Sequence, residues 1–486
     1  MPPRSPVDPV AADVAVVGAG AAGLFTALTA ADEGATVALV SGTPLAQTAS
    51  YWAQGGIAAA LAVGDSPEDH LEDTETAGRG LTRRSAARVL VDEAPGAVRA
   101  LERRGVHFDA DRHGNLSLGL EGGHGKRRVV HAGGSATGRR VVRDLAALAV
   151  EHERIVILEE ARAVDLWWID GRIVGTLLED GRAIRARGTI ISAGGAAALW
   201  SRTTNPPGST GAGMVLAHRA GAQLADLEFL QFHPTAVTGI PRREGFLVTE
   251  AIRGEGATLH GPDGERFVEE LAPRDEVALA IHRKLEETGA PSVGLDMRSI
   301  DPALFPNVVQ ALTDSGLDPT RELIPVSPAA HYMMGGIVTD LQGRSTLPGL
   351  LAVGESACTG LHGANRLASN SLSECFVFGR RAACAALDEP TPPLADPPAP
   401  DPVEPPSRET REAMWRHAGL VRTPEGLENL RTDPHPLARL IAACALNRQE
   451  SRGAHRRDDH PATNPDLDLH HGVVTREGTV AYERWV

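Results

Sequence analysis

The sequence predicts an α/β fold, and two apolar segments far apart in the chain support this prediction. Near the N-terminus, Val14–Val17 leads into the glycine-rich turn Gly18-Ala-Gly20-Ala-Ala-Gly23. Much later, the apolar run Leu350-Leu-Ala-Val ends in Gly354-Glu355. Continuous apolar runs of this length are typical of parallel strands buried on both faces of a sheet. We therefore expect one domain that is assembled from both parts of the chain.

The first run opens a βαβ unit, with a helix of small side chains predicted over residues 21–31 and the next parallel strand over residues 36–40. In a Gly-x-Gly-x-x-Gly turn, the glycines permit the tight turn, the close approach of a pyrophosphate and the packing of helix on strand. Free N–H groups at the helix N-terminus favour the anion. We predict dinucleotide contacts throughout this turn, at Gly18, Ala19, Gly20, Ala21, Ala22 and Gly23.

The second strand ends differently from the usual dinucleotide-binding pattern. An acid at this place normally holds the adenosine ribose, but the sequence has Ser41-Gly42. A serine hydroxyl still donates or accepts one hydrogen bond. Ser41 and Gly42 therefore stay predicted cofactor contacts, while binding of NAD through the usual acid is disfavoured.

Later segments suit a flat flavin ring and favour FAD as the cofactor. The glycine pair Gly55-Gly56, flanked by the amide of Gln54, permits close approach of the backbone to a ring. Glu355, an acid at the end of a buried strand, is expected to contact the ribityl chain. The segment after Asn365-Arg366 is expected to close over the flavin end. The predicted contacts are Ser50, Trp52, Ala53, Gln54, Gly55, Gly56, Glu355, Ser371 and Leu372.

Composition excludes several classes of function. The 486 residues carry 63 acids and 48 bases, and a net charge of −15 disfavours nucleic acid or an acidic membrane as a general partner. No apolar run is long enough to span a bilayer, and Met1-Pro-Pro-Arg-Ser-Pro leads into a core strand without an apolar signal region. The four cysteines have neither C-x-x-C nor zinc spacing, which predicts reduced thiols, a cytoplasmic protein and no metal site.

The pattern divides the chain into domains. Residues 1–221 and 337–388 are expected to form the nucleotide-binding domain, with a β-meander at 155–192 marked by Asp170-Gly171 and Asp180-Gly181. Residues 222–336 mix strands, turns and a helix after Pro273, as in an inserted domain. The proline-rich residues 389–406 predict a stiff linker, and a helical pattern predicts a C-terminal domain over 407–486.

The chain resembles the L-aspartate oxidase family, within the succinate dehydrogenase/fumarate reductase flavoprotein superfamily. Matching segments run along nearly the whole sequence. They include Trp52-Ala-Gln-Gly-Gly-Ile57, Glu121-Gly-Gly-His124, Glu228-Phe-Leu-Gln-Phe-His233-Pro-Thr235, Thr249-Glu250-Ala-Ile-Arg253, Ala272-Pro-Arg274-Asp275, Pro328-Ala-Ala-His331, His362-Gly-Ala-Asn-Arg366 and Glu450-Ser-Arg-Gly-x-His455.

The resemblance implies a Rossmann-like FAD-binding domain with an inserted α+β capping domain and a C-terminal helical domain. It implies oxidation of L-aspartate to iminoaspartate, with oxygen or fumarate as electron acceptor, as the first step of de novo NAD biosynthesis, and transfer of the product to quinolinate synthase. Membrane-complex relatives attach FAD through a histidine before Ala-Gln-Gly-Gly. Ala49 stands at that place here, so FAD is expected to bind non-covalently.

The resemblance also assigns roles in the substrate site. His233, Thr249, His331 and Arg366 are expected to bind the carboxylates, for which arginine offers a planar fork of donors. Glu121 is expected to bind the ammonium group, and Arg274 to transfer a proton. An arginine is unusual in that role, and a cation just after Pro273, at a helix N-terminus, needs a local anion.

Two positions depart from the family pattern. Ala212 and Ser135 stand where an aspartate is common, and each change removes a charged hydrogen bond, which predicts weaker FAD binding. Two alternatives therefore stay open beside the oxidase. One is a soluble fumarate reductase or electron-transfer subunit, and the other is a non-catalytic flavoprotein; Glu121 favours the oxidase over the reductase.

Overall fold

The computed structural model describes residues 9–486, so the segment Met1-Pro-Pro-Arg-Ser-Pro lies outside the described residues. The helices are α1 (Ala21–Asp32), α2 (Pro67–Ala77), α3 (Arg84–Arg103), α4 (Thr137–Glu151), α5 (Ala212–Ala220), α6 (Glu250–Gly254), α7 (Arg274–Thr288), α8 (Pro306–Thr313), α9 (Asn370–Leu387), α10 (Arg408–His417), α11 (Pro424–Leu430) and α12 (Pro436–Asn447). No helix within residues 9–486 combines the length and apolar character needed to span a bilayer.

Within residues 9–486 the strands belong to five sheets, and most of them are short. In chain order they are β1 (Val10–Ala11), β2 (Val14–Val17), β3 (Val37–Val40), β4 (Ile57–Ala58), β5 (Leu118–Gly119), β6 (Val129–Val130), β7 (Ile155–Leu158), β8 (Ala163–Ile169), β9 (Arg172–Leu178), β10 (Ala183–Arg185), β11 (Gly188–Ile191), β12 (Leu224–Ala225), β13 (Leu230–Val237), β14 (Thr258–His260), β15 (Val293–Asp296), β16 (Ile324–Met333), β17 (Gly336–Val338), β18 (Leu350–Ala352), β19 (Ala357–Cys358), β20 (His470–Val474) and β21 (Val480–Arg484).

A parallel sheet in the order β18-β11-β2-β3-β7 forms the centre of the nucleotide-binding part. Both apolar segments predicted as strands lie in it, and all four residues of Val14–Val17 are buried. Helix α1 packs on α9, where the rings of Phe25 and Phe376 meet edge to face with centroids 5.2 Å apart. The mixed α/β architecture predicted from the sequence is confirmed.

Gly18 shows why the first turn needs glycine. Its φ of +113° is disfavoured for residues with a side chain, and a Cβ would lie 2.2 Å from the carbonyl oxygen of Ser192 at the end of β11. This contact brings the turn against the neighbouring strand end. The carboxyl ends of β2, β11 and β18 therefore meet beside the N-terminus of α1.

An antiparallel sheet in the order β13-β16-β15-β14 forms the inserted part, with α6, α7 and α8 packed around a separate apolar core. Strands β13 and β16 are long and almost wholly buried, and they carry His233 and His331 side by side toward the nucleotide-binding part. The domain boundaries given above remain predictions.

The C-terminal part differs from the helical domain that was predicted. Helices α10, α11 and α12 are present, but β20 and β21 follow them and β20 pairs antiparallel with β12. The short segment His470-His-Gly-Val-Val has too few apolar residues to mark a strand on its own, and its buried face is completed only by the distant β12. Residues 389–406 contain neither helix nor strand.

Candidate active site

One cavity of about 1140 Å³, including its open mouth, runs from the N-terminus of α1 to the facing edges of β13 and β16. The cavity extends from the glycine-rich turn at Gly20 to the histidines and arginines of the inserted part, and this extent suits an elongated cofactor with a small substrate beside it. Its lining combines the turn after β2, the loop 49–56 and the charged side chains of the inserted part. Among the lining residues are Gly20, Gln54, Glu121, Arg274, His331 and Arg366.

The nucleotide end of this cavity fits the pyrophosphate of FAD. Helix α1 begins after Gly20, no side chain caps its first turn, and the turn contains no acid. A Cβ at Gly23 would lie 1.8 Å from the carbonyl oxygen of Gly18, so only glycine allows this packing of helix on turn. Uncapped N–H groups at a buried helix N-terminus bind anions. The arrangement therefore offers phosphate donors without a competing carboxylate.

The predicted cofactor residues fall into two groups. Those that line the cavity are Gly20, Ala22, Ser50, Trp52, Ala53, Gln54, Gly55, Gly56, Glu355, Ser371 and Leu372. Those that do not line it are Gly18, Ala19, Ala21, Gly23, Ser41 and Gly42. The Ser41 hydroxyl instead donates to the carbonyl oxygen of Thr43 at 2.5 Å. The first group includes every predicted residue of the flavin end.

The two departures from the family pattern are not among the residues that line this cavity. Ala212, the first residue of α5, is exposed and lines a separate cavity beside Val403 and His435. Ser135 is buried but is not among the lining residues of the main cavity. The weaker FAD binding expected from these two residues stays a prediction.

Arg274 and Arg366 meet on one side of the cavity through a shared acceptor. Both guanidinium groups donate to Oε1 of Gln231, at 3.1 Å from Nη1 of Arg274 and 3.3 Å from Nε of Arg366. Nε2 of Gln231 donates to Oδ1 of Asn365 and to the carbonyl oxygen of Arg366, which fixes the orientation of the amide. Two buried arginines are thus held together on one face.

Glu250 is the local anion that Arg274 requires at the start of α7. Nε of Arg274 lies 2.5 Å from Oε2 of Glu250, and both side chains are buried. Burial raises the pKa of the Glu250 carboxyl, but the charges of Arg274 and Arg253 outweigh this and lower it to about 2. Asp275, the neighbour of Arg274, pairs instead with Arg79 and Arg456.

The cationic face also lowers the proton affinity of its neighbours. Burial and then the charge of Arg274 lower the pKa of Arg366 to about 10. Burial, followed by the nearby arginines, lowers the pKa of both His233 and His331 well below the usual value. Both imidazoles are therefore neutral at physiological pH.

The hydrogen bonds of the two histidines assign their tautomers. Nδ1 of His233 accepts the backbone N–H of Thr235 at 3.3 Å, so Nε2 carries the proton. Nε2 of His331 accepts from Nη2 of Arg366 at 3.4 Å, and its Nδ1 donates to Oγ1 of Thr204 at 2.8 Å. His233 thus keeps a ring donor, whereas His331 orients Arg366.

Glu121 supplies an acidic group to the same cavity, and the next residue, Gly122, donates its backbone N–H to Oε1 of Glu250 at 3.1 Å. We call the surroundings of Glu121 the acidic side and those of Arg274 and Arg366 the cationic side. The residue is 2% exposed, and its Oε2 accepts the Ser369 hydroxyl at 2.7 Å. Its Oε1 is buried without a hydrogen-bond partner among residues 9–486. A buried carboxylate oxygen without a partner is unfavourable. This oxygen therefore marks a place for a donor that comes with a ligand.

Other residues of the site were not predicted as such. Thr204 and Asn205 line the cavity and hold His331, since Nδ2 of Asn205 donates to the His331 carbonyl oxygen at 2.6 Å. The polar residues of Thr203-Thr-Asn-Pro, in the loop between β11 and α5, are a signal that was available in the sequence. Thr249, which was predicted, lines the cavity at the start of α6 without capping it.

Comparison with known proteins gives consistent results. The family model "FAD binding domain" matches residues 13–372, and "Fumarate reductase flavoprotein C-term" matches residues 432–485. An L-aspartate oxidase of Streptomyces coelicolor is 42% identical over 96% of this chain and 92% of its own length. An L-aspartate oxidase of Caulobacter vibrioides is 44% identical over 93% and 94% of the two chains.

Solved structures of related flavoproteins share the fold. A quinol-fumarate reductase with bound menaquinol has a TM-score of 0.89 at 30% identity and covers 99% of this chain and 98% of its own. A variant of FrdA from E. coli quinol fumarate reductase has a TM-score of 0.88 at 29% identity, over 98% and 97% of the two chains. This chain therefore shares its fold with fumarate reductases, and only the residues of the site can distinguish its function from theirs.

Proposed function

The chain belongs to the L-aspartate oxidase family, and from this premise we propose that it oxidises L-aspartate to iminoaspartate with FAD. One observation supports this substrate in particular. The cavity holds two buried arginines, its cationic side, together with the buried Glu121, its acidic side, whose Oε1 has no hydrogen-bond partner among residues 9–486. An amino diacid supplies two carboxylates for the first side and an ammonium group for the second.

The residues at the nucleotide end would hold the cofactor. Gly20 and Ala22 offer the start of α1 to the pyrophosphate, and the loop with Gln54, Gly55 and Gly56 borders the flavin end. When bound there, FAD accepts the two electrons and the Cα hydrogen that the substrate loses. The structure has alanine at residue 49, and we propose that the cofactor is held without a covalent bond.

On the cationic side, Arg366 is the main carboxylate ligand that we propose. Its guanidinium is buried and fixed by Ser371, Gln231 and His331, so its remaining donors are oriented before a substrate arrives. His233 adds its Nε2–H, and Thr249 its hydroxyl. Because His233 is neutral, it contributes a hydrogen bond without a further positive charge.

Arg274 is the proposed proton-transfer group. Two of its nitrogens are occupied by Glu250 and Gln231, which leaves Nη2 without a hydrogen bond among the described residues. When fumarate is the electron acceptor, Arg274 would give a proton from its guanidinium to one fumarate carbon, while reduced FAD would supply the hydride to the other. Arg274 would then regain a proton from solvent, and the ionised Glu250 stabilises that protonated form. Glu121 accepts a hydrogen bond from the substrate ammonium group, and the proton that the nitrogen loses as the imine forms is released to solvent.

The cellular setting follows from this reaction. Iminoaspartate is the first product on the route to NAD, and we propose that it passes to quinolinate synthase in the cytoplasm. The cysteines Cys358, Cys375, Cys384 and Cys444 are all free thiols in the structure, which supports a reducing compartment. Oxygen and fumarate are the proposed electron acceptors.

Anaerobic reduction of the bound flavin tests the proposal. We expect L-aspartate to bleach the flavin absorbance of the holoenzyme, and succinate at the same concentration to leave it oxidised. Acid precipitation of the protein is expected to release the yellow flavin into the supernatant. Reduction by succinate and not by L-aspartate would favour the fumarate reductase alternative, and reduction by neither would favour a non-catalytic flavoprotein.

A further inference from the structure

We propose that Ser369 is a positioning residue that orients Glu121 for recognition of the substrate amine, with His124 fixing the two loops to each other. This inference rests on the proposed function and deepens it. It starts from a serine that precedes α9 and does not act as a helix cap, although serine is a preferred residue there. Its hydroxyl serves the cavity instead.

The backbone of Ser369 is held in an uncommon conformation. Its φ of +62° lies in the left-handed region, which residues with a Cβ rarely adopt. Strained residues of this kind persist where the surrounding structure fixes them, and they cluster at functional sites. The backbone here aims the side chain away from the first turn of α9 and toward the loops that carry Gly56 and Glu121.

The Ser369 hydroxyl connects both of those loops. It donates to Oε2 of Glu121 at 2.7 Å and accepts the backbone N–H of Gly56 at 3.1 Å. Because a hydroxyl has one proton, the bond from Gly56 leaves that proton for Glu121. The carboxylate is therefore held at one oxygen, and Oε1 is left as its free acceptor.

His124 fixes the spacing between Glu121 and Ser369. Burial lowers the pKa of His124, so the ring is neutral. Nε2–H donates to the carbonyl oxygen of Ala368 at 2.8 Å, while Nδ1 accepts from Nη1 of Arg128 at 3.3 Å. Arg128 is itself held by Asp65 and Asp73. The residue before Ser369 is thus anchored to the loop that begins with Glu121.

The Ser369→Gly variant tests the inference with the least disturbance, because glycine adopts a φ of +62° freely and only the hydroxymethyl group is lost. We expect KM for L-aspartate to rise about tenfold, the effect of one hydrogen bond to a charged group, with kcat changed far less. Succinate has no amine, so we expect its inhibition constant to stay within about twofold of that for the unaltered enzyme. The FAD content of the purified variant is also expected to stay within about twofold of the unaltered enzyme.

Three companion variants separate positioning from general damage. Ser373→Ala removes another buried hydroxyl of α9, which donates to the Ala58 carbonyl oxygen, and we expect KM to be unchanged. His124→Gln is expected to raise KM for L-aspartate in the same direction as Ser369→Gly. In a Glu121→Gln background, Ser369→Gly is expected to add no further rise, because the two residues act through one interaction.

The outcomes distinguish this inference from the function on which it rests. If L-aspartate does not reduce the flavin of the unaltered enzyme, both are overturned. If L-aspartate reduces it but Ser369→Gly leaves KM unchanged, raises the succinate inhibition constant equally, or acts additively with Glu121→Gln, the proposed function stands and the positioning role of Ser369 is overturned. An amine-specific and non-additive rise in KM supports it.

Discussion

The two sides of the cavity satisfy their charges in different ways. On the cationic side, Arg274 and Arg366 are bonded to Gln231, and Arg274 also to Glu250. On the acidic side, Oε2 of Glu121 accepts the Ser369 hydroxyl, and Oε1 is buried without a hydrogen-bond partner in the described part of the chain. Both sides are shielded from solvent, so the difference lies in their hydrogen bonding and not in their exposure.

This difference indicates how the site recognises an amino diacid. The arginines are oriented by protein groups before a ligand binds, and a preorganised field favours carboxylates of any dicarboxylate. Glu121 gains its second partner only from a ligand that brings a donor. We therefore expect the cationic side to set turnover and protein stability, and the acidic side to set the preference for aspartate over succinate.

The largest expected effect comes from Arg274→Gln. Loss of a positioned proton-transfer group typically lowers rates by two to four orders of magnitude, and we expect kcat with fumarate as acceptor to fall about a thousandfold. Arg274→Lys, which keeps a charge but not the fork held by Glu250 and Gln231, is expected to recover only part of the rate. Steady-state assays measure both, and a kcat within about twofold of the unaltered enzyme would place proton transfer elsewhere.

The sequence predicted those parts of this arrangement whose contacting residues are close together along the chain, and missed those whose partners are far apart. The turn Gly18–Gly23 and the strands of the β-meander were predictable because the signal is local. The anion that Arg274 needs was expected from its place at a helix start, but its identity was not, because Asp275 is the neighbour in sequence and Glu250 the neighbour in space. Ser369 was missed since its partner lies 248 residues away.

The contribution of Glu250 to the free energy of unfolding tests whether the cationic side depends on this carboxylate. Its folded pKa of about 2 is depressed from 4.5, so the stabilisation is present above about pH 4.5 and is lost as pH falls through about 2. This shift corresponds to about 3 kcal/mol. We expect Glu250→Gln to lower the free energy of unfolding at pH 7 by about that amount and to flatten its acid dependence, as measured by urea unfolding. Equal stability and equal acid slopes would show that the arginines do not depend on this carboxylate.

Glu355 is expected to have a smaller effect on the free energy of unfolding, with the opposite dependence on pH. Burial raises the pKa of this carboxyl to about 7, although it accepts the backbone N–H of Met333 at 2.8 Å. The stabilisation is therefore present below about pH 4.5 and is lost as pH rises through 7. We expect the apoprotein to lose about 2 kcal/mol between about pH 5.5 and 7.5. We expect the Glu355→Gln apoprotein to show no such fall in the free energy of unfolding with pH. An unchanged fall in the variant would contradict the assignment to Glu355.

Recognition of the amine by the free oxygen of Glu121 is the claim on which the comparison depends. The direct measurement is anaerobic rapid mixing of the holoenzyme, and of its Glu121→Gln variant, with L-aspartate. The concentration dependence of flavin reduction gives the dissociation constant of L-aspartate. In parallel, the change in the flavin spectrum on adding succinate gives the dissociation constant of succinate. We expect the substitution to weaken L-aspartate binding at least tenfold and to leave succinate binding unchanged or tighter. Equal weakening of both ligands, or of neither, would contradict the account.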